Sequence, residues 1–91
     1  MTIFKGGTAD IDTKIRDRAG DFVDPAGLSY RVLVNGSPMA GATYGVGNVV
    51  EKVATGHYVA HLVASWSGRW TVEAIATGPQ ELERHTFDVL P

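Results

Sequence analysis

Apolar residues alternate with polar ones in short runs, and this two-residue period constrains the fold more than any other feature of the chain. The clearest run covers residues 57–78 and reads HYVAHLVASWSGRWTVEAIATG. Taken in steps of two, its apolar residues fall into two sets: Tyr58, Ala60, Leu62 and Ala64, then Trp70, Val72, Ala74 and Ala76. A helix here would have to include Gly68 and a β-branched second half, with apolar residues all round it. The pattern therefore predicts two β-strands folded back on each other as a hairpin.

The same alternation recurs before and after this run. In residues 8–16, 28–35 and 85–89, mostly apolar side chains recur at every second position and so share one face of a strand. Asn35-Gly36 ends the second of these runs and indicates a turn, because both residues tolerate positive φ. The stretch that follows this turn, residues 42–54, is less regular.

Two shorter strands are predicted in that less regular part, near residues 43–44 and at 48–53. Eleven glycines and four prolines are scattered between the runs, as is usual for all-β domains. The 91 residues make one domain. We predict an all-β sandwich of about seven antiparallel strands over residues 8–91, preceded by an N-terminal arm, residues 1–7.

Charge and composition argue against several classes of partner. The formal net charge is −2, without a block of like charges, so neither a nucleic-acid footprint nor a polybasic membrane patch is expected. No apolar run approaches the ~18 residues of a membrane span, and no signal peptide is recognised. The chain has no cysteine, which fits assembly in a reducing cytosol.

Three histidines are the first candidates for chemistry. On a helix, His57 and His61 would lie side by side and could chelate zinc. On a strand they share a face but lie ~13 Å apart, at about 3.3 Å per residue. We therefore expect two exposed histidines and no metal site. His85 is expected on the inner face near a sheet edge, hydrogen-bonded rather than catalytic.

The acidic residues and glycine motifs also favour a non-catalytic reading. Asp17, Asp21 and Asp24 crowd one loop, but their spacing does not match a calcium-binding EF-hand loop, so a solvated, turn-forming loop is favoured. No phosphate-binding loop, nucleophile elbow or dinucleotide-binding glycine pattern is present. We predict no enzymatic activity and no cofactor.

The strings DRAGDFVDPAGLSYRVLVNGSPM and TGHYVAHLVASWSGRWTVEAIATG, with the terminal HTFDVLP, resemble immunoglobulin-like β-sandwich proteins. They are similar in particular to small proteins encoded among the head and neck genes of tailed phages. The resemblance implies an immunoglobulin-like fold in which Tyr58 could serve as a tyrosine corner. It further implies a structural virion protein, made in the host cytoplasm and released by lysis.

Within this class we expect a capsid decoration protein bound to the head surface. Its partner would be the major capsid protein or another virion protein, and several copies could associate on the particle. A neck or tail protein is the nearest alternative. A second alternative is a glycan-binding module, for which Trp66 in the loop SWSG is the candidate.

Two groups of residues are candidates for partner binding. If strands 28–35 and 57–64 are neighbours in one sheet, their outward residues Leu33, Val59 and Val63 could form an exposed apolar patch. The alternative is a set of scattered surface residues.

The second group lies in the N-terminal arm. Ile3 and Phe4 precede Gly6-Gly7. They could dock into a neighbouring molecule or add a strand to its sheet. Alternatively, they cover the domain's own sheet edge or fray.

Overall fold

The structure is a computed structural model that describes residues 2–47 and 49–91, and over these residues it contains strands and turns but no helix. Eight strands follow one another: β1 (Thr2–Phe4), β2 (Thr8–Lys14), β3 (Gly27–Val34), β4 (Ser37–Thr43), β5 (Val50–Ala54), β6 (His57–Val63), β7 (Gly68–Thr77) and β8 (Glu81–Leu90). The strand predicted at 48–53 thus begins at Val50, and its first predicted residue, Asn48, lies outside the described residues. None of the described residues forms a helix that could cross a membrane.

The strands form two sheets that pack face to face. The five-stranded sheet has the order β1-β8-β7-β3-β4, and the three-stranded sheet has the order β2-β6-β5. All neighbours are antiparallel except β1 and β8, which are parallel. The predicted turn joins β3 to β4, with positive φ at both Asn35 (51°) and Gly36 (82°).

The core lies between the sheets and is built from the alternate residues that the sequence indicated. The buried apolar side chains include Ala9, Ile11, Ile15, Leu28, Tyr30, Val32, Val34, Tyr58, Ala60, Leu62, Ala64, Trp70, Val72, Ala74, Ala76, Phe87 and Val89. The all-β sandwich is confirmed. One polar link crosses the core, where the hydroxyls of Thr13 and Tyr30 lie 2.6 Å apart.

The hairpin predicted from residues 57–78 is wrong in its pairing. β6 and β7 are both strands, as expected, but β6 belongs to the three-stranded sheet and β7 to the five-stranded sheet. Residues 64–67 carry the chain from one layer to the other. Both strands can do this because their apolar sides face the same core from opposite layers.

The predicted single patch of Leu33, Val59 and Val63 is wrong for the same reason. β3 and β6 are in opposite sheets, so Leu33 lies on the outer face of the five-stranded sheet. Val59 and Val63 lie on the outer face of the three-stranded sheet. Alternation shows which side chains face inwards, but it does not show which strands are neighbours.

The N-terminal segment does not hang free of the sandwich. Residues Thr2–Phe4 form β1, in register with Asp88–Leu90 of β8, and Ile3 packs against the core. The amide N–H of Gly6 then donates to the carbonyl of Ala64 (2.9 Å), which carries the chain across to the three-stranded sheet. The segment thus covers part of the domain's own edge, while the Phe4 side chain remains 68% exposed.

Candidate functional site

A groove runs along one side of the sandwich, between β4 of the five-stranded sheet and the end of β6 in the three-stranded sheet. Its volume is about 280 Å³. Its walls include Met39 from β4, Val49 from the segment before β5, and His61 and Val63 from β6. Trp66 lies at one end. We call it the Trp66 groove. Two residues singled out in the sequence for different reasons, Val63 and Trp66, therefore meet in one site.

The groove exists because neither flanking strand closes the gap. β5 begins only at Val50, and just before it the Val49 carbonyl accepts the His61 N–H (2.8 Å). β4 carries a bulge opposite residues 30–32 of β3. Gly41 is required there, since a Cβ atom at this position would lie 2.2 Å from the carbonyl oxygen of Tyr30.

Trp66 lies between this groove and a second, shallower depression. The second depression, about 270 Å³, is lined by Val34, Asn35, Met39, Trp66 and Ser67. The indole N–H of Trp70 donates to the Trp66 carbonyl (2.9 Å) and fixes the loop. The Trp66 side chain nevertheless stays 57% exposed, next to Val63, which is 61% exposed. A large exposed aromatic held in place beside two concavities is typical of a binding surface rather than of a core.

A different cleft opens on the opposite side of the sandwich, between β2 and β8. Its volume is about 470 Å³, and it is lined by Asp10, Ile11, Asp12, Arg84, His85, Thr86 and Phe87. We call it the His85 cleft. The Nε2 atom of His85 is buried and has no hydrogen-bond partner among the described residues. The sequence prediction of a hydrogen-bonded histidine at the inner sheet edge is therefore right about its position and wrong about that nitrogen's bonding.

The two other histidines pair with aspartates on the outer face of the three-stranded sheet. His61 Nδ1 lies 2.7 Å from Asp10 Oδ1, and its Nε2 lies 3.9 Å from Glu51 Oε1. The hydrogen bond to Asp10 raises the pKa of His61 above its ordinary value. His57 Nε2 lies 3.4 Å from Asp12 Oδ1. Over residues 2–47 and 49–91, no group of three or more His, Cys, Asp or Glu side chains could hold a metal ion.

Two carboxylates of the aspartate-rich loop organise the backbone. Asp17 Oδ1 accepts the N–H groups of Ala19 (2.9 Å) and Asp21 (3.0 Å), so it closes a turn. Asp24 Oδ1 accepts the N–H of Gly56 (2.9 Å) and the hydroxyl of Tyr58 (3.0 Å). The predicted turn-forming loop agrees with these bonds.

Asp24 fastens this loop to the β5–β6 turn. Its Oδ2 also accepts Lys52 Nζ at 2.7 Å, and the bonds from Lys52 and Gly56 lower the pKa of the Asp24 carboxyl. Burial, followed by the bond to Asp24, raises the pKa of Tyr58 to about 12. The Tyr58 hydroxyl thus binds a side-chain carboxylate, whereas a tyrosine corner binds backbone.

The comparisons with known proteins support the fold. No family model and no curated protein matches the chain. Among solved structures it is similar to the Lin-41 filamin domain, with a TM-score of 0.70 and 17% identity over 97% of this chain and 81% of that chain. It is also similar to the V domain of amphioxus IgVJ-C2, with a TM-score of 0.43 and 12% identity over 100% of both chains. The extracellular portion of mouse CD200RLa gives a TM-score of 0.46 and 11% identity over 99% of this chain and 53% of that one. At these identities, the filamin-domain match speaks for the fold alone: the chain is an immunoglobulin-like β-sandwich.

Proposed function

We propose that this protein is a non-enzymatic structural component of a tailed-phage particle, most simply a decoration protein that binds the outer surface of the head. The resemblance of its sequence to small phage immunoglobulin-like proteins supports the class of particle. The partner would be the major capsid protein or another virion protein, and several copies could associate there. The protein would be made in the host cytoplasm.

The Trp66 groove is the observation that carries the contact part of this proposal. Val63 and Trp66 expose apolar surface at the same edge, where Val49 also lines the groove and is 36% exposed. Burying such a cluster against a partner would contribute about 25 cal/mol per Å² of apolar surface. Leu33 and Val59 are half-buried on two different faces, so they contribute less to any one contact.

Incorporation into particles tests the proposal. We expect Val63→Ser combined with Trp66→Ser to leave the monomer folded but to remove it from purified particles. The matched control is Leu33→Ser, on the outer face of the other sheet, and Phe4→Ser tests the exposed residue of β1 separately. Normal incorporation of the double variant would show that the groove is not the attachment surface.

Copy number distinguishes the head from the neck or tail. Quantitative mass spectrometry of purified particles should give hundreds of copies for a decoration protein. A ring of about six or twelve copies would instead support the neck or tail alternative.

A second candidate function, glycan binding, is favoured by the position of Trp66. Its exposed ring lies beside the polar side chains of Asn35 and Ser67. The electron-rich face of an indole attracts the C–H groups of a sugar ring, while neighbouring polar groups can bind its hydroxyls. We expect Trp66→Ala to abolish retention on immobilised host-surface polysaccharide if this function is present, with Trp66→Tyr as the conservative control.

A further inference from the structure

The His85 cleft is bordered by two strand edges that have no neighbour in the described part of the chain. Among the described residues, β8 pairs with β1 at Asp88–Leu90, and none of them covers that edge of β8 over residues 81–87. β2 is one of the two outer strands of the three-stranded sheet. A free edge presents unpaired N–H and C=O groups and is a template for another strand.

His85 provides a second, independent observation that this opening is incomplete. Its Nε2 atom is inaccessible and without a partner, and the Glu83 Oε2 atom lies 3.8 Å away, beyond hydrogen-bond distance. A buried polar atom without a partner is costly, so most such atoms in folded proteins are satisfied. The His85 side chain as a whole is 30% exposed, so a polar group placed in the cleft would satisfy this nitrogen after a rotation of the ring.

The charges around the cleft indicate what kind of segment it suits. Asp10 and Asp12 line the β2 side, where they also pair with His61 and His57. Two further carboxylates, Glu81 and Glu83, lie on the free stretch of β8. Arg84 also lines the cleft, but its guanidinium binds Glu73 (Nη2 to Oε2, 2.8 Å). The opening therefore carries an excess of negative charge and favours a basic occupant.

The same charges disfavour a second copy of this chain. Pairing of two β8 edges would bring the glutamates of one copy against those of the other. Like charges on paired strands are destabilising, and charged edge residues are a common protection against self-association.

We propose that the His85 cleft is a strand-addition site for an extended, basic segment of a partner protein. The segment would pair with residues 81–87 of β8, in line with β1, through main-chain hydrogen bonds. Its lysine or arginine side chains would face Asp10, Asp12 and the β8 glutamates, and one polar group would reach His85 Nε2. This goes beyond the proposed function and does not depend on the partner being a virion protein.

A tethered probe tests the site on the isolated protein. Because β1 runs parallel to β8 in one-to-one register, residues added before the N-terminus would run along residues 81–87. We would compare three added segments: Lys-Val-Thr-Val-Lys-Val, the same segment with Glu in place of Lys, and the same segment with Pro in place of Thr and of its central Val. Proline lacks the N–H that a paired strand needs.

Amide hydrogen exchange is the main readout. With the basic segment, we expect exchange at residues 81–87 to slow by about tenfold or more, because tethering gives a high effective concentration. The His85 ring resonances should shift at the same time. The Pro-containing segment should neither slow this exchange nor shift the His85 resonances. The acidic segment should slow the exchange less than the basic one.

Three results would overturn the inference. The first is that the basic segment leaves the amides of residues 81–87 unprotected, and the second is that it protects β4 in their place. The third is that it protects residues 81–87 no better than the Pro-containing control does. Equal protection by the acidic segment would refute the electrostatic part. The exchange experiment uses the isolated protein and does not measure incorporation into particles. Its failure is therefore distinguishable from failure of the proposed function.

Discussion

Each outer face of the sandwich carries a charged triplet that crosses three strands, and the two triplets are opposite in sign. On the five-stranded sheet, Glu73 of β7 lies in register between Arg31 of β3 and Arg84 of β8. On the three-stranded sheet, His61 of β6 lies opposite Asp10 of β2 and diagonally from Glu51 of β5. One triplet has an anion at its centre; the other has a group that becomes a cation only when protonated.

Burial makes the two triplets unequal. Arg31 Nε donates to one Glu73 oxygen (2.8 Å), and Arg84 Nη2 donates to the other (2.8 Å), so the arginines cover a carboxylate that is only 3% exposed. The His61 side chain is 40% exposed, and solvent screens its ion pairs. The comparison teaches that an outward position does not make a charged residue dispensable. What matters is whether its partners exclude water from it.

The largest effect is expected from Glu73→Gln. This change removes the charge that two arginines share and leaves those arginines facing each other across β7. We expect the greatest loss in free energy of unfolding among these variants, measured by urea denaturation near pH 7. The control is Glu83→Gln, an exposed carboxylate on β8. Equal stability of the two variants would contradict the ranking of the faces.

Low pH should remove the difference in free energy of unfolding between the wild type and Glu73→Gln. The bonds from Arg84 and then Arg31 lower the pKa of Glu73. A lowered pKa stabilises the fold fully above the ordinary glutamate pKa, and this contribution is lost as pH falls through the folded-state value. The gap between the wild type and Glu73→Gln should therefore narrow as pH falls below about 4.

A middle-sized effect is expected where the two sheets are joined. Tyr30 of β3 and Thr13 of β2 share a buried hydroxyl–hydroxyl hydrogen bond of 2.6 Å. Tyr30→Phe should cost about 1–3 kcal/mol, because it leaves the Thr13 hydroxyl buried without this partner. Adding Thr13→Val should recover part of that loss, as measured in a double-mutant cycle. Strictly additive losses would show that the hydroxyls do not act as a pair.

Sequence alone was sufficient to predict the inner faces of the sheets. A period of two is a local property, so the buried positions of β2, β3, β6 and β7 could be identified without knowing their neighbours. Neighbours could not be identified in this way. The predicted apolar patch depended on β3 and β6 being neighbours, but they lie in different layers, so Leu33 and Val59 lie on different faces.

The sites depend on features that no short string displays. Glu73 in TVEAI reads as an ordinary outward residue, because its arginine partners lie 42 and 11 positions away in the chain. The Trp66 groove requires the late start of β5 and the bulge at Gly41, both of which arise from strand pairing. Trp66 itself could be identified as a candidate from the sequence, because an aromatic residue in the loop SWSG is expected to be exposed.

The smallest effect is expected from His61→Gln, and pH fixes its sign. The bond to Asp10, with Glu51 also nearby, raises the pKa of His61. A raised pKa stabilises the fold fully below the ordinary histidine pKa, and this contribution is lost as pH rises through the folded-state value. His61→Gln should thus be slightly less stable than the wild type near pH 5.5 and indistinguishable from it in stability near about pH 9.

Urea denaturation at both pH values measures this difference between His61→Gln and the wild type, with His57→Gln as the matched control. About 0.5 M salt should shrink the difference, because the pair of His61 and Asp10 is exposed. A difference that persists unchanged at the higher pH would mean that His61 contributes through packing, and the two triplets would then differ in kind rather than in burial.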